Sequence, residues 1–481
     1  MQSGLDFYVG LFWVYPLARD GKLMKFYDRS RSICEWERLP EWRDKMRASL
    51  AAEEISRFSP FHLLSLPGIS AAEQRHCAEL WLQARIQASQ SERADLAFRH
   101  RQHTHLKIRL GYLSSDFQEH ATAFLLAELF EAHDHKRFEL FLYSYGSDDG
   151  KGMRQRLNQC FDKFVDLQDL SISQAAQAIH ADGIDILVDL KGYTRDTRTE
   201  ILTYRPAPVQ VNYLGYPGTL GGDFCDYIIT DRFLTPPASA ADYSESFAYL
   251  PDSYQPHGRH ALIGKIPKRA EQGLEPNSFV FCCFNQSYKI MPEVFDIWCR
   301  LLYNVPGSVL WLLKDAKAKG RLRNEAYQRG ISPERLIFAD EMPQSQHLGR
   351  LALADLVLDT LPYNAHTTAS DALWVGVPMV TCAGDTFASR VAGSLLRAIG
   401  LPELIVENLE EYYDLALKLA SNPEFMLSIR QKLSTNRLCT PLFDVQAYTR
   451  HLEALYQTMW HRHQAGEKPM AIGDTAPHSV N

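Results

Sequence analysis

From Lys107 onward, short apolar, β-rich runs alternate with helical stretches, and this rhythm constrains the fold more than any other feature. A first series occupies 108–113, 138–145, 184–190, 209–214 and 227–230, and a second occupies 279–284, 309–313, 336–338, 356–358 and 378–382. Strands alternating with helices mean βαβ units and parallel sheets. The Pro-, Gly- and Lys-rich stretch 255–276 separates the two series, so two doubly wound lobes are expected, over 101–265 and 266–461, with a cleft between them. Residues 1–100 carry no clear strand; amphipathic helices are expected over 35–50 and 71–87. Segment 448–461 reads as a helix that packs back across the lobes, and the polar tail 462–481 as disordered.

Composition narrows the function classes. A net charge of −7 argues against a nucleic-acid-binding surface as the main business. Nine scattered cysteines include no CxxC pair and no metal-ligand spacing, as expected of free, mostly buried thiols in a reducing compartment. The apolar patch 7–17 lacks a preceding basic region, and no run approaches the roughly eighteen apolar residues that span a bilayer. The expectation is a soluble, cytoplasmic protein.

Ligands of doubly wound sheets sit at the carboxyl ends of the strands. After the run 356–358 comes Leu361-Pro-Tyr-Asn-Ala-His366-Thr367-Thr368-Ala-Ser-Asp371, leading into a helix. A small-residue turn opening on Thr-Thr offers backbone N–H groups at a positive dipole end, a seat for a diphosphate, with Asp371 in reach of a ribose hydroxyl. An ordinary threonine N-cap is the simpler alternative. Phe284-Asn-Gln286-Ser-Tyr-Lys289 follows the first strand of the second series, where Lys289 faces that turn as a phosphate partner or is a plain surface lysine. Asp116 and His120 follow the first strand of the first series, either as base and orienting partner or as a helix-capping Asp with a half-buried His. Leu214-Gly215-Tyr-Pro-Gly-Thr219 is a strand-to-loop turn where glycine permits close backbone approach, and Ser59-Pro-Phe-His62 is similarly ambiguous. No G-x-G-x-x-G follows a strand, 146–151 falls one residue short of a P-loop, and no Asp-x-Asp occurs, so a departing diphosphate would be stabilised by protein groups.

Together these segments resemble the catalytic region of the protein O-GlcNAc transferase family, including its bacterial SPINDLY-like members. The match rests on Arg109-Leu-Gly-Tyr-Leu-Ser-Ser-Asp-Phe117 with His120, and on Asp182-Gly-Ile-Asp-Ile-Leu-Val-Asp-Leu-Lys-Gly-Tyr-Thr194. Arg205–Gln210, Leu214–Thr219, Asp226–Asp231, Phe284–Lys289, His366–Asp371 and Ala388–Ala392 extend it in order over about 50–460.

The resemblance implies a GT-B architecture and an inverting, metal-independent transfer of GlcNAc from UDP-GlcNAc to Ser or Thr hydroxyls of a protein acceptor. By position it implies that Lys289 stabilises the diphosphate with Gln286 nearby. It also implies that His366, Thr367 and Thr368 cradle the phosphates, Asp371 binds the ribose and His347 stacks on the base. His120 and Asp116 take base or proton-relay positions, while Thr122, Leu214 and Gly215 line the sugar site. Gln344 stands where animal members carry a lysine contacting the uracil, which leaves GDP-fucose or UDP-glucose as alternative donors. His120-Ala-Thr-Ala-Phe124 lacks the Pro and second His of the animal pattern, and no tetratricopeptide array is evident beyond a degenerate remnant in 1–50. No cofactor or metal is expected. A non-catalytic nucleotide-sugar-binding protein is the reading from another class.

Overall fold

A computed structural model describes residues 19–54, 59–100, 106–259 and 261–473. The first lobe contributes β1 (Ile108–Ser114), β2 (Phe138–Ser144), β3 (Lys163–Asp166), β4 (Ile186–Asp189), β5 (Val209–Asn212), β6 (Tyr227–Asp231) and β7 (Ser246–Leu250). The second contributes β8 (Val280–Cys283), β9 (Val309–Leu313), β10 (Leu336–Ala339), β11 (Leu356–Leu358), β12 (Met379–Cys382) and β13 (Ile405–Val406). A last strand, β14 (Ile472–Gly473), pairs with β7. Every expected run is a strand. β3, β7, β13 and β14 are additional.

Both sheets are parallel, ordered β14-β7-β6-β5-β4-β1-β2-β3 and β10-β9-β8-β11-β12-β13. Helices cover both faces of such sheets, so central strands read as unbroken apolar runs; β4, β8 and β12 are buried at every position. In each lobe the fourth strand lies against the first: β4 pairs with β1, and β11 with β8. The chain winds outward in opposite directions from these pairs, so a crevice opens at their carboxyl ends. This is the two-lobed GT-B arrangement.

The described part of the N-terminal region is helical, with helices Arg19–Ser32, Leu39–Ala51, Ala71–Ala88 and Gln90–Leu96. Helix Ala71–Ala88 starts at a capping box in which Ser70 and Glu73 exchange side-chain and backbone hydrogen bonds. It packs Trp81 on Tyr193 of the first lobe (4.5 Å between rings). Trp36 instead packs on Phe295 of the second lobe (5.2 Å), and the Ser287 hydroxyl donates to the Ser32 carbonyl at 2.7 Å. The region thus braces both lobes.

Helix Val445–Gln464 returns from the second lobe to the first, as the sequence predicts. Its buried Glu453 accepts from Asp134 N–H (2.7 Å), Arg137 (2.6 Å) and His133 Nδ1 (3.0 Å). The chain beyond Arg462 departs from the expected disorder. The helix continues to Gln464, and Ile472–Gly473 adds to β7 because that edge offers free backbone groups; residues 474–481 lie outside the described part. All nine cysteines are unpaired, and only Cys439 is exposed. Among the described residues, no helix is long and apolar enough to cross a membrane.

Candidate active site

The second-lobe crevice is built from the turn after β8 and the loop after β11. Helix Thr367–Val375 starts with His366 at its N-cap, in a non-helical conformation and with no side-chain cap. The threonines are therefore not the cap; they lie inside the first turn. The Thr368 hydroxyl donates to Asn285 Oδ1 (2.9 Å), whose Nδ2 donates to Thr360 Oγ1 (2.9 Å). This chain ties the helix start to the end of β8 and leaves the uncapped N–H groups at the positive end of the dipole.

Lys289 is buried in the same crevice and is not a surface lysine. Its Nζ donates to the Asn364 carbonyl (2.9 Å) and lies 4.0 Å from the centre of the Tyr363 ring. Burial pulls its ammonium down to about 8, against the opposing influence of Asp359 and Cys283. His366 lies close enough to feel it: burial first, then the Lys289 charge, holds the imidazole well below its ordinary value, so it is neutral near pH 7.

His347, Asn285 and Thr368 line one pocket, with Phe284, Leu351 and Ala365. The His347 ring lies 5.3 Å from the Phe284 ring, and Arg350 approaches its Nδ1 at 3.0 Å. Arginine always donates, so Nδ1 accepts and the proton of the neutral ring sits on Nε2. Asp371, on the second turn of the Thr367–Val375 helix, lies 4.0 Å from His257 Nε2 and within electrostatic reach of His347. Gln344 opens the helix that carries His347 and is half-buried, and Gln286 is exposed beside the Lys289 turn. The structure thus gathers the residues expected around the nucleotide.

The first-lobe crevice opens between the ends of β1 and β4. His120 caps helix Ala121–Ala132, its Nδ1 accepting the Thr122 N–H at 3.3 Å. Asp116 Oδ2 is 3.5 Å from that same nitrogen, while Oδ1 holds Lys191 Nζ at 2.6 Å, both side chains buried. Asp116 is bound first to lysine, and histidine is its weaker neighbour. Burial lowers the His120 pKa, with Lys191 adding to this and Asp116 opposing it. Leu214 adopts a φ of 67°. Gly215 lies so near the β4 loop that a Cβ would fall 2.0 Å from the Leu190 carbonyl oxygen. Tyr363 of the second lobe joins the hydrophobic cluster of the first, 6.0 Å from Phe61.

Sequence reasoning passed over Lys191, Asn285 and Asp359. Each lies within two residues of the end of a central strand, the position from which polar side chains reach a switch-point crevice, and that was the signal available.

The chain matches the family model described as glycosyl transferase family 41 over residues 64–265 and 259–452. It is 36% identical over 457 residues to the Arabidopsis thaliana protein named Probable UDP-N-acetylglucosamine--peptide N-acetylglucosaminyltransferase SEC, covering 92% of this chain and 46% of that one. It is 31% identical to the Caenorhabditis elegans UDP-N-acetylglucosamine--peptide N-acetylglucosaminyltransferase, covering 75% and 41%. The chain therefore spans less than half the length of these curated relatives. Among solved structures it resembles a mutant of Thermobaculum terrenum O-GlcNAc transferase with a TM-score of 0.77 at 29% identity, over 91% of this chain and 83% of that one. Sucrose-phosphate synthase from Thermosynechococcus elongatus shares the fold, with a TM-score of 0.51 at 12% identity over 74% of this chain and 100% of that one.

Proposed function

The chain belongs to glycosyl transferase family 41, and from that premise we propose that it moves GlcNAc from UDP-GlcNAc to Ser or Thr hydroxyls of a protein acceptor. The observation that carries this reading is the convergence of buried Lys289 and the uncapped Thr367–Val375 helix start on one loop at the β8/β11 switch point. An acceptor oxygen attacks the anomeric carbon from the face opposite the diphosphate. The bond from that carbon to the diphosphate oxygen breaks, its electron pair stays on the departing oxygen, and the anomeric centre inverts. Negative charge grows there against the Lys289 ammonium and the Thr367 and Thr368 N–H groups. These fixed donors favour the transition state over the bound substrate and take the place of a divalent cation. The hydroxyl proton departs toward the first-lobe group of His120, Asp116 and Lys191. Thr122, Leu214 and Gly215 hold the sugar between the crevices, Gln286 flanks the diphosphate, and His347, Gln344 and Asp371 hold the nucleoside.

Lys289→Ala tests the reading: release of UDP from UDP-GlcNAc should fall by ~10²–10³ or more in a folded protein. Near-normal turnover in that variant would remove the assignment. Calorimetric titration with UDP, GDP and their sugars identifies the donor, and UDP binding well ahead of GDP is expected.

A further inference from the structure

Asp359 is a buried group that the proposed reaction does not use. It directly follows β11 and is 2% exposed. One oxygen, Oδ1, accepts the N–H of Thr360 (2.8 Å) and of Ala365 (2.6 Å), so a single atom gathers both ends of the loop that leads to the phosphate seat. Oδ2 accepts the Thr381 hydroxyl from neighbouring β12 (2.6 Å). The peptide group joining Asn364 to Ala365 is therefore shared. Its N–H points at Asp359, and its carbonyl receives Lys289 Nζ at 2.9 Å. Cation and carboxylate polarise one peptide in the same sense, immediately before His366.

We propose that Asp359 is a positioning residue of the leaving-group site: through the 364–365 peptide it aims the loop and supplies the buried counter-charge of the Lys289 ammonium. The proposal rests on the leaving-group role given to Lys289. Among the described residues, no other ionised group facing the pair cancels either charge. Burial pushes the thiols of Cys283 and Cys382 up to about 12 and about 11. Burial likewise holds the Tyr412 and Tyr363 phenols well above their ordinary range and His366 well below its own. Asp359 is itself raised to about 6 and Lys289 lowered to about 8, in both cases by burial first, so both carry charge between those values.

Asp359→Asn separates charge from shape, because the carboxamide oxygen still accepts the loop N–H groups. The alkaline limb of kcat/KM for UDP-GlcNAc should move down by about one pH unit. The loss is then roughly fivefold at pH 8 and under twofold at pH 6. A purely structural role would instead lower activity by one factor at every pH, and that result overturns the proposal. A second measurement needs no turnover. In urea unfolding of Asp359→Asn, Lys289→Met and the double variant at pH 7, the double variant's midpoint shift should be smaller than the sum of the single shifts. Additive shifts overturn the proposal.

If Asp359→Asn does not fold, Lys289→Met decides alone. The folded-state pKa of Asp359 already exceeds its unfolded value, so its contribution to stability declines as pH rises to about 6. Without the lysine that decline should continue above pH 6, and a midpoint parallel to the parent's there overturns the proposal. Coupling found in a chain that releases no UDP would uphold the pairing and remove the transferase reading instead.

Discussion

The two switch-point crevices are built to the same local plan and carry different charge. Asp189 ends β4 and Asp359 follows β11. Each is buried, is pushed up to about 6 by desolvation, accepts two N–H groups from its own loop and takes a threonine hydroxyl, Thr199 at 2.9 Å and Thr381 at 2.6 Å. Each has a lysine beside it. Lys191 spends its ammonium directly on Asp116, whereas Lys289 meets only a peptide carbonyl and an aromatic face. The first crevice ties its ammonium into a direct ion pair, whereas in the second the carboxylate acts through the 364–365 peptide and the ammonium has no direct carboxylate contact. Topology supplies two equivalent places for a ligand, and the lysine's partner decides which one suits an anion.

The largest expected effect separates the two lysines by what they damage. Lys289→Ala should lower turnover by ~10²–10³ with the fold retained. Lys191→Met leaves Asp116 as an unpaired buried carboxylate and should cost about 3–5 kcal/mol of stability by urea unfolding, with calorimetric UDP affinity within about threefold of the parent. Equal losses of UDP binding in the two variants would break the comparison.

The pH profile sharpens it. The Lys289 pKa is lowered to about 8, and the reaction needs the ammonium, so kcat/KM should fall about tenfold per pH unit above that value. Lys289→Arg should move this limb beyond pH 9 whatever its amplitude, because guanidinium stays charged. A limb unmoved by that change would assign it to another group.

The smallest effect concerns shape alone. Gly215→Ala places a methyl 2.0 Å from the Leu190 carbonyl oxygen, a backbone atom that cannot swing aside. The two loops must part, at about 1–3 kcal/mol of stability. KM for the donor sugar should rise several-fold, and UDP affinity should stay put. A normal sugar KM would take Gly215 out of the sugar wall.

Legibility in the sequence followed burial. β1, β4, β8 and β12 announce themselves because a parallel strand covered on both faces is predominantly apolar. β3 did not, since Lys163 and Asp166 at its ends are exposed at the sheet edge, and β13 and β14 are only two residues long. His366, Thr367, Thr368 and Lys289 were visible as residue types following strands. That the threonines sit past an uncapped histidine was not, because the cap is set by the φ and ψ of His366 and not by its neighbours' propensities.

The sequence by itself determined the two lobes, the helical N-terminal region and the resemblance that led to the family, because apolar periodicity and clustered motifs are local properties of the chain. The tertiary structure decided which charges meet. Lys191 is joined to Asp116 across 75 positions, and Lys289 to the Asn364 carbonyl across 75 more. Contacts at such separations arise only when the first and fourth strands of a lobe lie side by side, and no local pattern records which strands those will be.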